Sequence, residues 1–269
     1  MSMRTLVVTA ADEAFTPLLR RLICSLLHWQ PRPFTDLAFL DLGVSAETRK
    51  WVTHWAEHIV EPAWDLPLQA KLRAQQPHLR ALTVRPFLPD YFPGYEVYLW
   101  IDADAWVQEP FALDRYFSSA FQGPLAAVAH SHRCYQHTRG ILNWQAGRDK
   151  AYFLESRPGL PQEAYFNAGV FALRGDAPHW QLWAKFFREG IERTNGWLCC
   201  DQTALNQALW SACLPVDSLP ATCNWLCHLA PPRFDPARNR WCEPIESGDV
   251  IGIVHLAGNA KQGIYPQRA

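Results

Sequence analysis

The chain has 269 residues, a formal net charge of −1, 19% charged residues and 49% from the apolar and aromatic set. That length and apolar content suffice for a full globular core, as one large α/β domain or two small ones, and the near-zero charge excludes the basic footprint of a nucleic-acid binder. It carries no long basic run suited to an anionic membrane surface and no stretch of about eighteen apolar residues able to cross a bilayer.

The opening MSMRTLVVTAADEAF meets Asp12 and Glu13 too early for a secretory segment, so a cytoplasmic protein is expected. Arg4 to Thr9 reads as a first strand, Ala10 to Glu13 as a turn, and Ala14 to Leu27 as a helix with leucines at helical spacing. Leu37 to Leu42 reads as a second strand and Ala46 to His58 as a second helix, with Ser45 as its N-cap. Strand and helix alternating at this spacing imply a parallel sheet covered by helices. Pro86, Pro89 and Pro93 break Arg85 to Gly94 into an interrupted helix or loop. Val97 to Ile101 is apolar without alternation, the pattern of a strand buried on both faces.

Ala126 to Ala129 reads as another short strand. His130 to Ala164 is polar and aromatic without clear period, either a functional lid or a concealed element. Then follow a strand at Ala168 to Leu173, a helix at Trp180 to Arg193, a helix at Gln202 to Trp210 with Asp201 as its N-cap, and a last strand at Val250 to His255. Trp51 with Trp55, and Trp180 with Trp183, fall at core spacing on their helices. No repeat or linker separates independent domains. The eight cysteines read as reduced thiols. Cys223, Cys227, His228 and Cys242 can be drawn as a zinc site, but the C-x-x-C knuckle is missing and structural zinc is not expected.

Ligands of an open parallel sheet bind beyond the carboxyl ends of its strands. Asp12, the pair Asp102 and Asp104, Asn167 and His255 all fall at strand ends. Side chains one residue apart on an extended strand point the same way, so Asp102 and Asp104 can reach one ion. Two carboxylates and an imidazole leave open positions on an octahedral cation for diphosphate oxygens, which suits Mn²⁺ or Mg²⁺. Bland alternatives stand beside this: an Asp-x-Asp can end a strand at solvent, and Asn167-Ala168-Gly169 can be a turn.

Five stretches in order resemble glycosyltransferase family 8, the retaining enzymes of the GT-A fold: TAADEAF from Thr9, RPFLPDYFPGYEVYLWIDADAWV from Arg85, YFNAGVFAL from Tyr165, CDQTALNQAL from Cys200 and HLAGNAKQ from His255. The resemblance implies a single α/β domain with a Rossmann-like, mostly parallel sheet between helices. Residues 1–115 would form the nucleotide-sugar-binding part and 116–269 the acceptor-binding part. It implies that Ala10 and Asp12 contact the uracil end of a UDP-sugar, that Arg85 reaches the sugar or diphosphate, and that Asp102, Asp104 and His255 ligate Mn²⁺. Gly258 and Lys261 would meet the diphosphate. Asn167, Asp201 and Gln202 would line the donor sugar, with Gln202 nearest the anomeric carbon.

The chain departs from the family pattern at Ala14 and Phe15 in the first loop, at Thr203, and at Gln262-Gly263 after Lys261. Retention by double displacement requires a carboxylate beneath the anomeric carbon, and Asp201 is the one in the matched donor-sugar motifs. A front-face ion-pair route is the usual proposal for the family. An inverting GT-A transferase and a non-catalytic nucleotide-binding scaffold are the alternatives. The acceptor is a carbohydrate, a lipid-linked saccharide or a protein side chain, without nucleic acid; the sequence provides no transmembrane segment and leaves peripheral membrane association open. His130, His132, His137, Tyr135 and Trp144 suggest an acceptor surface, and Trp197 and Trp225 are further candidates.

Overall fold

The structure, a computed structural model, describes residues 4–29, 35–153, 165–258 and 261. Thr5–Ala11 (β1) leads through a short 3₁₀ turn, Glu13–Phe15, into Thr16–Trp29 (α1). Thr35–Asp41 (β2), Ala46–Val52 (α2) and the edge strand His58–Val60 (β3) follow. Three short helices, Ala70–Gln75 (α3), Arg80–Val84 (α4) and Leu88–Tyr91 (α5), approach Val97–Ile101 (β4). Next come Ala105–Val107 (β5), Phe111–Phe121 (α6), Leu125–Ala129 (β6) and Arg139–Tyr152 (α7). Phe166–Arg174 (β7), His179–Arg193 (α8), Asp201–Ser211 (α9) and Val216–Leu219 (β8) complete the main layers. Trp225–Leu226 (β9), the pair Arg233–Asp235 (β10) and Arg240–Cys242 (β11), and Ile253–His255 (β12) are the last strands described.

The central sheet has seven strands in the order β3-β2-β1-β4-β7-β6-β8. β7 runs antiparallel to both neighbours, and the other pairings are parallel. β1 and β4 are buried along their whole lengths because helices cover both faces of the sheet. The two-residue side-chain period then deals alternate residues to two cores. Val7, Leu99 and Ile101 join Leu19, Leu22 and Ile23 of α1 with Tyr116 and Phe117 of α6. Leu6, Val8, Tyr98 and Trp100 join Trp183 and Phe187 of α8 with Leu205 of α9. The mixed α/β domain with a mostly parallel sheet agrees with the expected architecture.

Several boundaries moved. β1 runs on to Ala11, and the Asp12 side chain caps the 3₁₀ turn by accepting the Phe15 N–H at 3.2 Å, so the first helix begins at Thr16 instead of Ala14. The second helix stops at Val52 and the residues toward His58 become the approach to β3, a strand too short to announce itself by period. Trp55 therefore lies beyond the helix and is 41% exposed, whereas Trp180 and Trp183 stack at 6.4 Å inside the core as expected. α7 occupies much of the polar region that showed no period. Only Gln145 and Tyr152 on it are buried, so it has no apolar stripe to read.

The last strand is Ile253–His255, and it joins β5 and β9 in a separate three-stranded sheet rather than the central one. β5, directly after Asp104, offers the edge with which it pairs, Val254 opposite Trp106. All eight cysteines are free thiols, and Cys223, Cys227, His228 and Cys242 form no metal-ligand cluster among the described residues. No helix among those residues is long and apolar enough to cross a membrane.

Tyr152 ties α7 to the rest of the domain. Its hydroxyl donates to the Leu198 carbonyl at 2.9 Å and accepts the Cys200 N–H at 2.7 Å. The ring lies on Gly190 of α8, where a Cβ would stand 2.2 Å from Tyr152 Cδ2. Gly190→Ala is expected to force the ring away and destabilise the fold by about 1–3 kcal/mol, read as a lower urea midpoint at unchanged slope.

Candidate active site

β4 delivers its chain to the edge of the sheet at Ile101, and a tight turn follows, closed by the Ala105 N–H donating to the Asp102 carbonyl at 2.9 Å. The two carboxylates converge through this turn; they are not alternate residues of a continuing strand, which corrects the reading from strand period. Each is pinned through its backbone. The Asp102 N–H donates to the Gly169 carbonyl on β7 at 2.8 Å, and the Asp104 carbonyl accepts the Leu256 N–H, just past β12, at 2.9 Å. The same antiparallel course of β7 brings Asn167 and Gly169 beside the carboxyl end of β4. Asn167-Ala168-Gly169 is strand, not turn.

His255 ends β12 and is 2% exposed. Its Nε2 lies 3.3 Å from Asp104 Oδ1 and 3.8 Å from Asp102 Oδ2. Asp102, Asp104 and His255 each present a ligand atom, all within 4.8 Å of one another. Hard carboxylate oxygens and one imidazole nitrogen fit a divalent cation of the Mg²⁺ or Mn²⁺ type. The neighbouring Gly169 is required by this approach: a Cβ there would lie 2.4 Å from His255 Cε1 and 2.6 Å from Asp102 Oδ2. Lys261 Nζ bonds Asp104 Oδ2 at 2.7 Å. Burial alone would raise the Asp104 carboxyl, but His255 and Lys261 outweigh it and hold the group at about 2.

Arg85, 4% exposed, bridges two carboxylates: one Nη donates to Asp102 Oδ1 and the other to Asp201 Oδ2. Its guanidinium lies 4.8 Å from the Trp100 ring centroid, and Trp100 Nε1 also donates to Asp102 Oδ1 at 2.8 Å. Both terminal nitrogens being engaged, Arg85 is the clamp that orients Asp102 and Asp201. Asp201 was read as the N-cap of its helix. It is instead the first helical residue, with Cys200 at the cap, and its carboxylate turns inward to Arg85 because that ion pair compensates burial of both charges.

Beside the carboxylates, an open cleft is lined by Ala10, Asp12 and Phe15, by His78 and Leu82, and by Asp102, Asp104 and Lys261. Lys261 Nζ also lies 5.0 Å from the Phe15 ring centroid. Ala14 is exposed and takes no part in the lining. His78, with no motif around it, escaped the sequence reading. Gly258 has the left-handed φ of +62° and packs toward His228. Gln262-Gly263 lie outside the described residues.

A run of amides continues from His255. Asn224, fully buried, accepts from His255 Nδ1 at 2.9 Å and donates to Asn167 Oδ1 at 2.9 Å. Asn167 donates to Gln202 Oε1 at 3.0 Å, and Gln202 Nε2 lies 3.5 Å from His130 Nε2. Asn167 and Gln202 are thus together, with Asp201 beside them. Asn224 was missed, since an asparagine in a loop segment carries no spacing signal.

The aromatic acceptor surface is only partly present. Trp225 is fully buried and Tyr135 is core, its hydroxyl accepting the Leu226 N–H at 3.1 Å, so neither is available to stack on a sugar. Both pack edge to face at 5.1 Å because the small sheet needs an apolar underside. Trp144 and Trp197 are 55% and 56% exposed. His130 and His228 stand near one another, ring centroids 6.3 Å apart, and each has a buried Nδ1 without a partner among the described residues. Burial, with neighbouring imidazoles adding to it, lowers His130 to about 3 and His228 to about 4, so both are neutral hydrogen-bonding groups at physiological pH.

The crystal structure of the galactosyltransferase LgtC in complex with donor and acceptor sugar analogues has a TM-score of 0.58 at 18% identity, covering 94% of this chain and 87% of that one. The apo structure of the bifunctional glycosyltransferase WbbM gives 0.60 at 13% identity, covering 96% of this chain and 46% of that one. Mouse xyloside xylosyltransferase 1, also apo, gives 0.55 at 12% identity over 97% of this chain and 99% of that one. No curated protein sequence gives a match. At these identities the structures carry the fold, a GT-A arrangement, while membership rests on the family model for glycosyl transferase family 8, which matches residues 10–261. The chain belongs to glycosyl transferase family 8 and is a glycosyltransferase.

Proposed function

We propose that the protein transfers a hexose or hexose derivative from a UDP-sugar to an acceptor hydroxyl with retention of configuration. The observation that carries this reading is the convergence of Asp102, Asp104 and His255 at the end of β4, beside an open cleft lined by Ala10, Asp12, Phe15 and Lys261. These three residues would hold Mn²⁺, with Mg²⁺ as the alternative. Bound there, the cation would act as a Lewis acid that neutralises charge developing on the departing UDP.

Ala10 and Asp12 lie where a base would enter, and Phe15 offers a ring for stacking. Lys261 is a point charge for a diphosphate oxygen, and Gly258 leaves the backbone open to approach. Asn167 and Gln202 present amides to the donor sugar, Gln202 nearest the anomeric carbon. Arg85 orients Asp102 and Asp201, and its buried Nε, without a partner among the described residues, is left to reach the donor sugar or diphosphate. Asp201 is held by Arg85 and its charge is compensated there, which makes it a weak nucleophile. That favours front-face departure of UDP, the acceptor oxygen forming the new bond on the same face and its proton passing to the leaving phosphate. Residues 1–115 supply most of the nucleotide side. Residues 116–269 supply His255, Lys261, the amides and the acceptor side, on which His130 and His137 and the exposed Trp144 stand for a carbohydrate, lipid-linked saccharide or protein acceptor. A cytoplasmic location is part of this proposal.

Calorimetric titration with a panel of UDP-sugars is expected to show binding that requires Mn²⁺ in the wild type and is absent in Asp104→Ala. Binding indifferent to both metal and substitution would overturn the reading. Gly169→Ala is expected to weaken Mn²⁺ binding roughly ten- to a hundredfold, because the added methyl displaces His255 and Asp102 together. The anomer of the transferred sugar, read by NMR coupling constants, is expected to match the donor; an inverted product would assign the site to inverting chemistry.

A further inference from the structure

Two backbone N–H groups determine how every amide next to the cation ligands must be turned. The Gly169 N–H donates to Asn167 Oδ1 at 2.9 Å, so that atom is an oxygen and an acceptor. The Asn224 atom facing it at 2.9 Å must then be the donor Nδ2, which leaves Asn224 Oδ1 facing His255 Nδ1, also at 2.9 Å. An oxygen there obliges His255 Nδ1 to carry hydrogen. Its Nε2, aimed at Asp104 and Asp102, is thereby the electron-pair atom of the neutral ring. Independently, the Ala168 N–H donates to Gln202 Oε1 at 3.1 Å, which turns Gln202 Nε2 away from Asn167 and toward His130.

From this directional chain we infer that Asn224 is a positioning residue with two separable tasks: it holds His255 in the tautomer that ligates the cation, and through Asn167 it orients Gln202 at the donor sugar. The inference rests on the reading of this site as a metal and donor-sugar site, but its first half concerns the metal-free chain. Burial supports it. Asn224 is fully buried, Asn167 is 6% exposed and His255 is 2% exposed, so water cannot replace a lost partner. Asn224 is itself held by its N–H donating to the Ala221 carbonyl at 3.0 Å, between the turn Ala221–Cys223 and β9. Partners of this kind set both the orientation and the basicity of a ligating histidine.

The two tasks divide by chemistry. Asn224→Asp keeps an oxygen for the His255 Nδ1–H but loses the hydrogen offered to Asn167. Asn224→Leu loses both.

The experiment uses the full chain labelled with ¹⁵N-histidine. Two-bond ¹H–¹⁵N spectra of the metal-free wild type are expected to show the neutral form of His255 with Nδ1 protonated and Nε2 bare. Manganese titration followed by electron paramagnetic resonance, without nucleotide, is expected to show affinity reduced about ten- to a hundredfold in Asn224→Leu and changed less than about threefold in Asn224→Asp. In the presence of Mn²⁺, Asn224→Asp is expected to bind UDP as the wild type does and the UDP-sugar at least about tenfold more weakly. A neutral ring protonated at Nε2 instead of Nδ1 in the wild type overturns the inference, as does wild-type manganese affinity in a cooperatively folded Asn224→Leu. Equal loss of UDP and UDP-sugar in Asn224→Asp overturns the second task alone. A wild type with the Nδ1–H tautomer but no manganese binding overturns instead the metal reading of the site, which keeps the two failures distinct.

Discussion

Buried charge at the end of β4 is the constraint around which the site is built. Asp102, Asp104 and Asp201 bring three carboxylates together at the sheet edge; Arg85 bridges the first and last of them and Lys261 pairs with Asp104. Three carboxylates thus share two fixed cations. An arrangement of this kind is costly unless a further cation completes it, which is why the geometry and the chemistry of a metal-assisted transferase agree. The Arg85 bridge ties the first carboxylate to the helix carrying Gln202, so the Asp102, Asp104 and His255 cluster and the Asn167–Gln202 amides share one ionic hub.

The reversal of β7 makes this hub reachable. In a wholly parallel sheet the start of a strand lies at the far edge from the ligand side. Running β7 antiparallel brings its first residues, Asn167 and Gly169, beside Asp102. Gly169 must be glycine because His255 and Asp102 occupy the space of its missing side chain. The small sheet performs the complementary task. By pairing with β5 immediately after Asp104, β12 returns His255 to the carboxylates from more than a hundred residues away, and β9 carries Asn224 behind it.

The amide chain gives the site a direction. Neutral amides carry no signature in charge or period, yet two backbone N–H groups on β7 suffice to orient Asn167, Asn224 and Gln202. Catalysis of this class depends on donors already aimed when charge develops. The two N–H donors belong to β7, and a strand holds them more closely than a loop would.

Much of the architecture was legible in the residues themselves. The unalternating run of β4 announced a strand buried on both faces, and the acids just beyond it marked the edge where the carboxylates gather. The tryptophan pair Trp180 and Trp183 announced a core helix. These signals survive in sequence because burial on a regular element imposes a period that local chemistry cannot disguise. Short or polar elements left no such trace: β3, β5 and β9 are too brief for alternation, and α7 has no apolar stripe. The sequence by itself determined the fold class, the acid pair and the histidine that joins it. Only the tertiary structure decided that the pair meets through a turn, that Asp201 faces Arg85 instead of capping its helix, that Trp225 and Tyr135 belong to the core, and that Asn224 stands behind His255. Each of these is a contact across long sequence separation, and direction and partner in such contacts arise from packing rather than from local pattern.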